Sequence, residues 1–165
     1  MTVLVRPARP DEHEALGALT LDAYAADGRI TPDHPYAATL RDAASRARDA
    51  VLLVALDEDV LGTVTYVPQG SPFAEVAVAG EAEMRTLAVA PDARGAGVGR
   101  LLTEECLRRA RADGCDALVL SSGTWMRAAH RLYERLGFDR DPSLDWSPRE
   151  GVDLLGYRLT LRAGA

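Results

Sequence analysis

Neither lysine nor asparagine occurs in the 165 residues, and all 19 basic side chains are arginine. Both missing types are encoded by AT-rich codons, so a GC-rich coding sequence accounts for the gap without any selected chemistry. Cysteine is scarce. Cys106 and Cys115 stand nine positions apart with no Cys-x-x-Cys pair, and the three histidines, His13, His34 and His130, are scattered. That pattern indicates neither a metal site nor a disulfide framework, so two buried thiols and no metal are expected. Long hydrophobic runs are missing too: Ala50 to Leu56 is the longest, far too short to span a bilayer. With no apolar N-terminal segment either, a cytoplasmic chain without a membrane partner is expected. An excess of positive charge is also lacking. The net charge is −6, the opposite of a duplex nucleic-acid binder.

What remains is an ordinary globular composition, 47% hydrophobic and 27% charged. No repeat or linker divides the chain, so residues 1–165 are expected to form a single domain. Val3 to Arg6 reads as a strand, and Asp11 as the cap of a helix to about Ala25, with Ala15, Leu16, Leu19 and Tyr24 turned inward. A second helix is expected from Tyr36 to Arg48. Val51 to Leu56 has the continuous apolar pattern of a strand buried on both faces, and Asp57 to Asp59 turns it into a hairpin with Val60 to Val67. Pro68 to Gly80 reads as a flexible connection. Glu81 to Val89 is a strand, and a helix follows to about Asp113, where Gly114 ends it. Further elements are a strand Ala117 to Ser121, a helix from near Thr124 to Leu136 closed by Gly137, and strands Phe138 to Asp141 and Leu154 to Leu161. The order β-α-α-β-β-β-α-β-α-β-β requires a mixed sheet with helices on both faces, an α/β (α+β) architecture.

One stretch carries chemistry. Arg94-Gly95-Ala96-Gly97-Val98-Gly99 follows the strand that stops at Pro91 and leads into the helical pattern beginning at Arg100. Three glycines in five residues let the backbone turn tightly and direct successive N–H groups at one anion. The helix behind them adds its unpaired amides and the positive end of its dipole. A nucleotide P-loop needs Gly-Lys-Ser or Gly-Lys-Thr at its end, and the last glycine here precedes Arg100. A dinucleotide fingerprint needs unequal glycine spacing near the start of the fold, and Gly95, Gly97 and Gly99 are evenly spaced past mid-chain. A conformational turn that binds nothing is the alternative.

The Arg-x-x-Gly-x-Gly pattern resembles the acetyl-CoA pyrophosphate loop of the GNAT N-acetyltransferase superfamily. Leu132-Tyr133-Glu134-Arg135-Leu136-Gly137-Phe138 resembles the Leu-Tyr-x-x-x-Gly-Phe signature of the same family, and Tyr133 lies 34 positions after Gly99. The GNAT fold has the element order given above.

The resemblance implies an N-acetyltransferase, with acetyl-CoA as cosubstrate and a small-molecule or peptide amine as acceptor. It places the pyrophosphate on Arg94, Gly95, Ala96, Gly97, Val98, Gly99 and Arg100, and the pantetheine arm along Leu87, Ala88 and Val89. A main-chain amide near Leu87 or Ala88 would stabilise the oxyanion. Glu83 is implied as general base, against the alternative of a solvated strand-edge carboxylate such as its neighbour Glu81. Tyr133 is implied as general acid to the departing thiolate, against the alternative of a core tyrosine. Met126 stands at the cofactor-binding position where many GNAT proteins have asparagine. Ser121 stands where those that acetylate ribosomal N-termini carry glutamate, which disfavours that subfamily.

Acceptor choice in the family is set by two segments. Here they are Tyr24 to Tyr36, with Asp27, Asp33 and His34, and Arg140 to Asp153, with Asp141, Asp145, Trp146, Glu150 and Asp153. Carboxylates around an aromatic ring suit a cationic amine, although solvated loop charges beside a packing tryptophan account for the same residues. A coenzyme-binding sensor or scaffold without turnover is the competing class. Exposed sheet edges leave room for a homodimer.

Overall fold

The computed structural model describes residues 2–28 and 30–161. The chain divides into two compact units, residues 1–66 with 86–105 and residues 67–85 with 106–165.

The first unit holds β1 (Leu4–Pro7), α1 (His13–Ala26), α2 (Ala37–Arg41), α3 (Ala43–Asp49), β2 (Val51–Leu56) and nearly all of β3 (Val60–Val67). It also takes the end of β4 (Glu81–Val89) and the start of α4 (Val98–Ala112). β1 runs antiparallel to β2 and β2 antiparallel to β3, with Val51 opposite Tyr66. The hairpin forms as expected because its apolar run is buried at Leu52 to Ala55 and its acidic turn is solvated. Helices α1 and α3 cover the sheet through Leu16 and Ala43 packed with Leu52 and Val54, and a second cluster, Leu21 with Ile30, Ala37 and Leu40, joins α1 to α2.

Three local expectations change. Asp11 caps nothing: Pro10–Glu12 forms a 3-10 turn, and the Glu12 carboxylate accepts the Arg9 N–H at 2.7 Å and both terminal nitrogens of Arg6 at 2.9 and 2.8 Å. The inward face of α1 is Leu16, Gly17, Thr20, Leu21 and Ala23, whereas Ala15 is exposed and Leu19 and Tyr24 are half-buried. Gly17 belongs there because a Cβ would strike the Arg41 carbonyl. The expected second helix is two helices, broken at Asp42 (φ −83°, ψ 67°), whose side chain accepts the Ser45 N–H at 3.1 Å and so starts α3.

The second unit is built on β5 (Ala117–Gly123). The first residues of β4 pair with it in parallel, Glu81 opposite Ala117 through Met84 opposite Leu120. β8 (Val152–Thr160) pairs with its other side antiparallel, from Ala117–Thr160 to Gly123–Leu154. β6 (Asp139–Arg140) and β7 (Trp146–Arg149) both pair with β8, and α5 spans Arg127–Leu136. β7 is an addition to the expected order, lying between the expected strands Phe138 to Asp141 and Leu154 to Leu161. Hydrogen-bonded neighbours follow the order β1-β2-β3-β4-β5-β8-β6, an eight-stranded mixed sheet once β7 is counted. Cys106 and Cys115 are both buried, as expected.

Candidate functional site

The glycine-rich turn sits in the first unit. After β4, the Ala90 N–H extends the pairing with β3 by donating to the Leu61 carbonyl at 2.8 Å. Pro91–Ala93 makes a 3-10 turn, Arg94 is extended, and Gly95 and Gly97 each have φ +82°. A Cβ at either glycine would meet nothing within 4 Å, so the backbone conformation, not crowding, calls for glycine. Helix α4 begins at Val98, two residues before the expected start, which puts Gly99 inside its first turn. The Leu101 N–H donates to the Gly97 carbonyl at 3.1 Å as the first helical bond. The amides of Val98, Gly99 and Arg100 therefore precede any helical acceptor. Gly95, Ala96, Gly97 and Arg100 are exposed while Val98 is buried, so Val98 pins the start of the helix while the turn before it lies at the surface.

Gly62 sets how closely that helix approaches. A Cβ there would lie 2.8 Å from the Ala88 carbonyl oxygen and 3.0 and 3.2 Å from Val98 Cγ1 and Leu102 Cδ1. The Arg94 guanidinium turns away from the loop, donating to the Ala23 carbonyl at 2.9 Å and to Asp27 Oδ1 at 3.1 Å. Arg100 lies 3.5 Å from Glu104. On β4, Ala88 is buried and Leu87 and Val89 are half-buried. Thr86, just before them, has φ +57°, and the ladder to β5 has already stopped at Met84. A β-branched residue in the left-handed region is a costly conformation, of the kind found where a strand must change course.

In the second unit, Tyr133 is buried. Its carbonyl accepts the Phe138 N–H at 2.9 Å, the Gly137 N–H goes to Glu134 at 3.1 Å, and Gly137 has φ +100°. The Tyr133 and Phe138 rings lie 5.6 Å apart. This is a Schellman stop with its apolar contact, so the Tyr-x-x-x-Gly-Phe spacing ends α5 as well as placing the tyrosine. Two side chains that were not anticipated extend this ring cluster. The Tyr157 ring is 5.7 Å from Tyr133, and His130 is 5.5 Å from Tyr157 with Nε2 2.9 Å from the Gly123 carbonyl. Burial pushes the Tyr157 hydroxyl above the usual phenol range and the His130 imidazole below its ordinary value. Met126 precedes the first turn of α5, its N–H on the Gly123 carbonyl at 3.0 Å.

The carboxylates of β4 depart furthest from expectation. Glu81 is no solvated edge residue: it is buried, ion-paired with Arg158, and accepts the Val78 N–H at 3.1 Å. Glu83 has no exposed surface. Its Oε1 accepts three consecutive main-chain N–H groups, from Glu75 at 3.0 Å and from Val76 and Ala77 at 2.9 Å. Its Oε2 is buried with no hydrogen-bond partner among the described residues, the nearest cation being Arg85 Nε at 4.0 Å. Arg85 in turn donates to the Phe73 carbonyl at 2.8 Å, stacks over the Phe73 ring at 4.0 Å, and pairs with Glu75 at 2.8 Å. Burial raises the Glu75 carboxyl above the ordinary carboxylate range, with Arg85 opposing the shift. The stretch read as a flexible connection is thus tied down at Phe73 through Val78. Alternate positions on one strand share a face, so the run Glu81, Glu83, Arg85 was the available signal.

The acidic residues expected to hold an acceptor are largely satisfied within the protein. Asp27 pairs with Arg94, Asp33 accepts the Thr31 hydroxyl at 2.5 Å, and His34 Nδ1 accepts the Tyr36 N–H at 3.0 Å. Asp145 holds both terminal nitrogens of Arg140 at 2.9 Å, Asp141 pairs with Arg158 at 3.0 Å, and Asp153 accepts the Ser147 hydroxyl at 2.6 Å. Trp146 Nε1 donates to Ser121 at 3.2 Å, and Glu150 is exposed. Arg29, within the first of those segments, lies outside the described residues.

Residues 16–138 match the acetyltransferase (GNAT) family. A mycothiol acetyltransferase of Cellulomonas flavigena is 31% identical over 151 residues, which cover 78% of this chain and 42% of that protein. The chain therefore spans less than half the length of that relative. Among solved structures, a GNAT acetyltransferase of Staphylococcus aureus Mu50 superposes with a TM-score of 0.76 at 15% identity, covering 98% of this chain and all of that one. The PaiA N-acetyltransferase of Thermoplasma acidophilum, solved in complex with coenzyme A, gives 0.76 at 14% identity over 97% of this chain and 99% of that one. At such identities the two structures speak to the fold.

Proposed function

We propose that this chain, which belongs to the acetyltransferase (GNAT) family, moves an acyl group from acetyl-CoA to a primary amine of a small-molecule or peptide-like acceptor. The observation that carries the reading is the donor-lined turn at Gly95 to Arg100. Two glycines at φ +82° and three first-turn amides ahead of any helical acceptor form a cradle for a pyrophosphate. These donors suit the group chemically: they are neutral and point-like, those of Gly95, Ala96, Gly97 and Arg100 belong to exposed residues, and they need no lysine.

Acetyl-CoA supplies the activated acyl group. The amides of Gly95, Ala96, Gly97, Val98 and Gly99, with Arg100, hold the pyrophosphate, and Arg94 contributes by fixing the loop to the end of α1. The main chain of Leu87 to Val89 pairs with the pantetheine arm, and Met126 offers it an apolar contact. An amide near Leu87 or Ala88 polarises the thioester carbonyl. The amine attacks with both substrates bound: a C–N bond forms, the C–S bond breaks, and one proton leaves the nitrogen as another reaches sulfur. Oε2 of Glu83, the carboxylate oxygen with no hydrogen bond among the described residues, receives the first through a water. The hydroxyl of Tyr133 supplies the second.

The mycothiol acetyltransferase name of one relative is in keeping with a small-molecule acceptor, and a cytoplasmic setting goes with this chemistry. Among the described residues no helix is long and apolar enough to cross a membrane. The test is thiol release from acetyl-CoA in the presence of polyamines, aminoglycosides, amino acids and lysine peptides. Acceleration by one class supports the reading. Coenzyme binding with no acceleration by any amine would favour a sensor.

A further inference from the structure

The segment Phe73 to Val78 is held by side chains from a single strand at alternate positions. Glu81 takes the Val78 amide, Glu83 takes those of Glu75, Val76 and Ala77, and Arg85 takes the Phe73 carbonyl and the Glu75 carboxylate. Three successive N–H groups converging on one oxygen form an anion nest, and the anion that fills it is a side chain of the protein. A carboxylate with no exposed surface is an expensive anchor for a surface segment, and Glu83 leaves its second oxygen buried without a hydrogen bond among the described residues. An unsatisfied buried carboxylate oxygen calls for a donor from outside the described chain, a water or a ligand N–H.

We infer that Glu83 is a positioning residue as well as a proton acceptor, and that the segment it holds together with Glu81 and Arg85, Phe73 to Val78, is a wall of the acceptor site. The inference rests on the proposed role of Glu83 in the reaction. The three nest nitrogens lie within 3.0 Å of Oε1. An amine reaching Oε2 through one water therefore passes within about 11 Å of those nitrogens, three hydrogen-bond lengths plus the span between the two carboxylate oxygens. Phe73, its ring covered on one side by the Arg85 guanidinium at 4.0 Å, is the wall's largest apolar side chain and the residue assigned to acceptor selectivity. Neither of the two segments expected to choose the acceptor includes it.

The test separates anchoring from chemistry. Glu83→Gln keeps an oxygen able to accept the three amides but has no basicity, whereas Glu83→Ala has neither. Amide hydrogen exchange of residues 75–77 in the coenzyme-free protein is expected to match the parent in Glu83→Gln and to quicken at least about 10-fold in Glu83→Ala. Arg85→Met, at a side chain nearer the surface, gives the same readout at the Phe73 to Glu75 end should Glu83→Ala fail to fold. Phe73→Ala is expected to raise the acceptor KM at least about fivefold with the coenzyme Kd within about twofold of the parent. Unchanged exchange in both Glu83→Ala and Arg85→Met overturns the anchor, and an unchanged acceptor KM in Phe73→Ala overturns the wall. Coenzyme binding without turnover of any amine removes the catalytic reading and the wall with it, while the exchange comparison still decides the anchor.

Discussion

Arg94 reaches from the glycine-rich turn to Asp27 at the end of α1, Nη1 to Oδ1 3.1 Å, and its Nη2 binds the Ala23 carbonyl beside it. The arginine of the loop motif thus grips the protein, which leaves the backbone donors as the proposed contacts to the coenzyme.

Removing that grip is predicted to weaken coenzyme binding indirectly. Arg94→Ala should raise the coenzyme Kd severalfold and Asp27→Ala less, because Asp27→Ala leaves the arginine's bond to the Ala23 carbonyl in place. In a double-mutant cycle read by titration calorimetry, the half-exposed pair should show a coupling of ~0.5 kcal/mol. Full additivity would mean that the pair contributes nothing to the loop.

Gly62→Ala is predicted to act at a distance from any ligand. The added methyl meets the Ala88 carbonyl oxygen at 2.8 Å, a main-chain atom that cannot swing aside, and Val98 Cγ1 at 3.0 Å. The start of α4 must shift, costing about 1–3 kcal/mol and moving the first-turn amides. Urea melts should show the loss of stability, and coenzyme Kd should rise in the variant that remains folded. A variant with parental stability would contradict the packing described for α4.

Tyr133→Phe should lower kcat roughly 10²-fold while leaving the coenzyme Kd nearly unchanged. The ring packs on Phe138 and Tyr157, and the Phe138 N–H bond is to the Tyr133 main chain. The substitution keeps all of these contacts. Turnover equal to the parent's would exclude proton donation by the hydroxyl.

The Arg6–Glu12 pair gives a stability signature in acid. The side-chain hydrogen bonds from Arg6, then the Arg9 N–H, hold the Glu12 carboxyl at about 2, against an ordinary 4.5. A carboxyl depressed by folding contributes stability that is complete above its unfolded value and is lost as pH falls through the folded one. Glu12→Gln should therefore be less stable than the parent at pH 7 by ~1 kcal/mol, with the gap closing between pH 4.5 and 2. Chemical denaturation across that range checks it.

These particulars show what a linear reading reaches. The hairpin Val51–Val67 was legible because a continuous apolar run and an acidic turn are local signals, and the glycine turn because its conformational demand is local as well. The break at Asp42 hid inside an uninterrupted helical pattern. Its one local sign, an Asp three residues before Ser45, is common enough to pass over. β7 was obscured by Pro148, which suits only an edge strand, as β7 is. The pairing of Glu81 with Arg158, 77 positions apart, and the nest on Glu83 depend on strand register and loop course. For the same reason a linear reading leaves the acidic segments open between an amine site and solvated loop charges, since the arginine partners of Asp27 and Asp141 are distant in sequence.

The most direct test of the central claim is titration calorimetry of the folded chain with coenzyme A and acetyl-CoA. Saturable binding of one coenzyme per chain, weakened by Gly95→Ala at its φ of +82°, is the predicted result. Absence of heat with both compounds, on protein shown to be folded by its circular dichroism and melting curve, would contradict it.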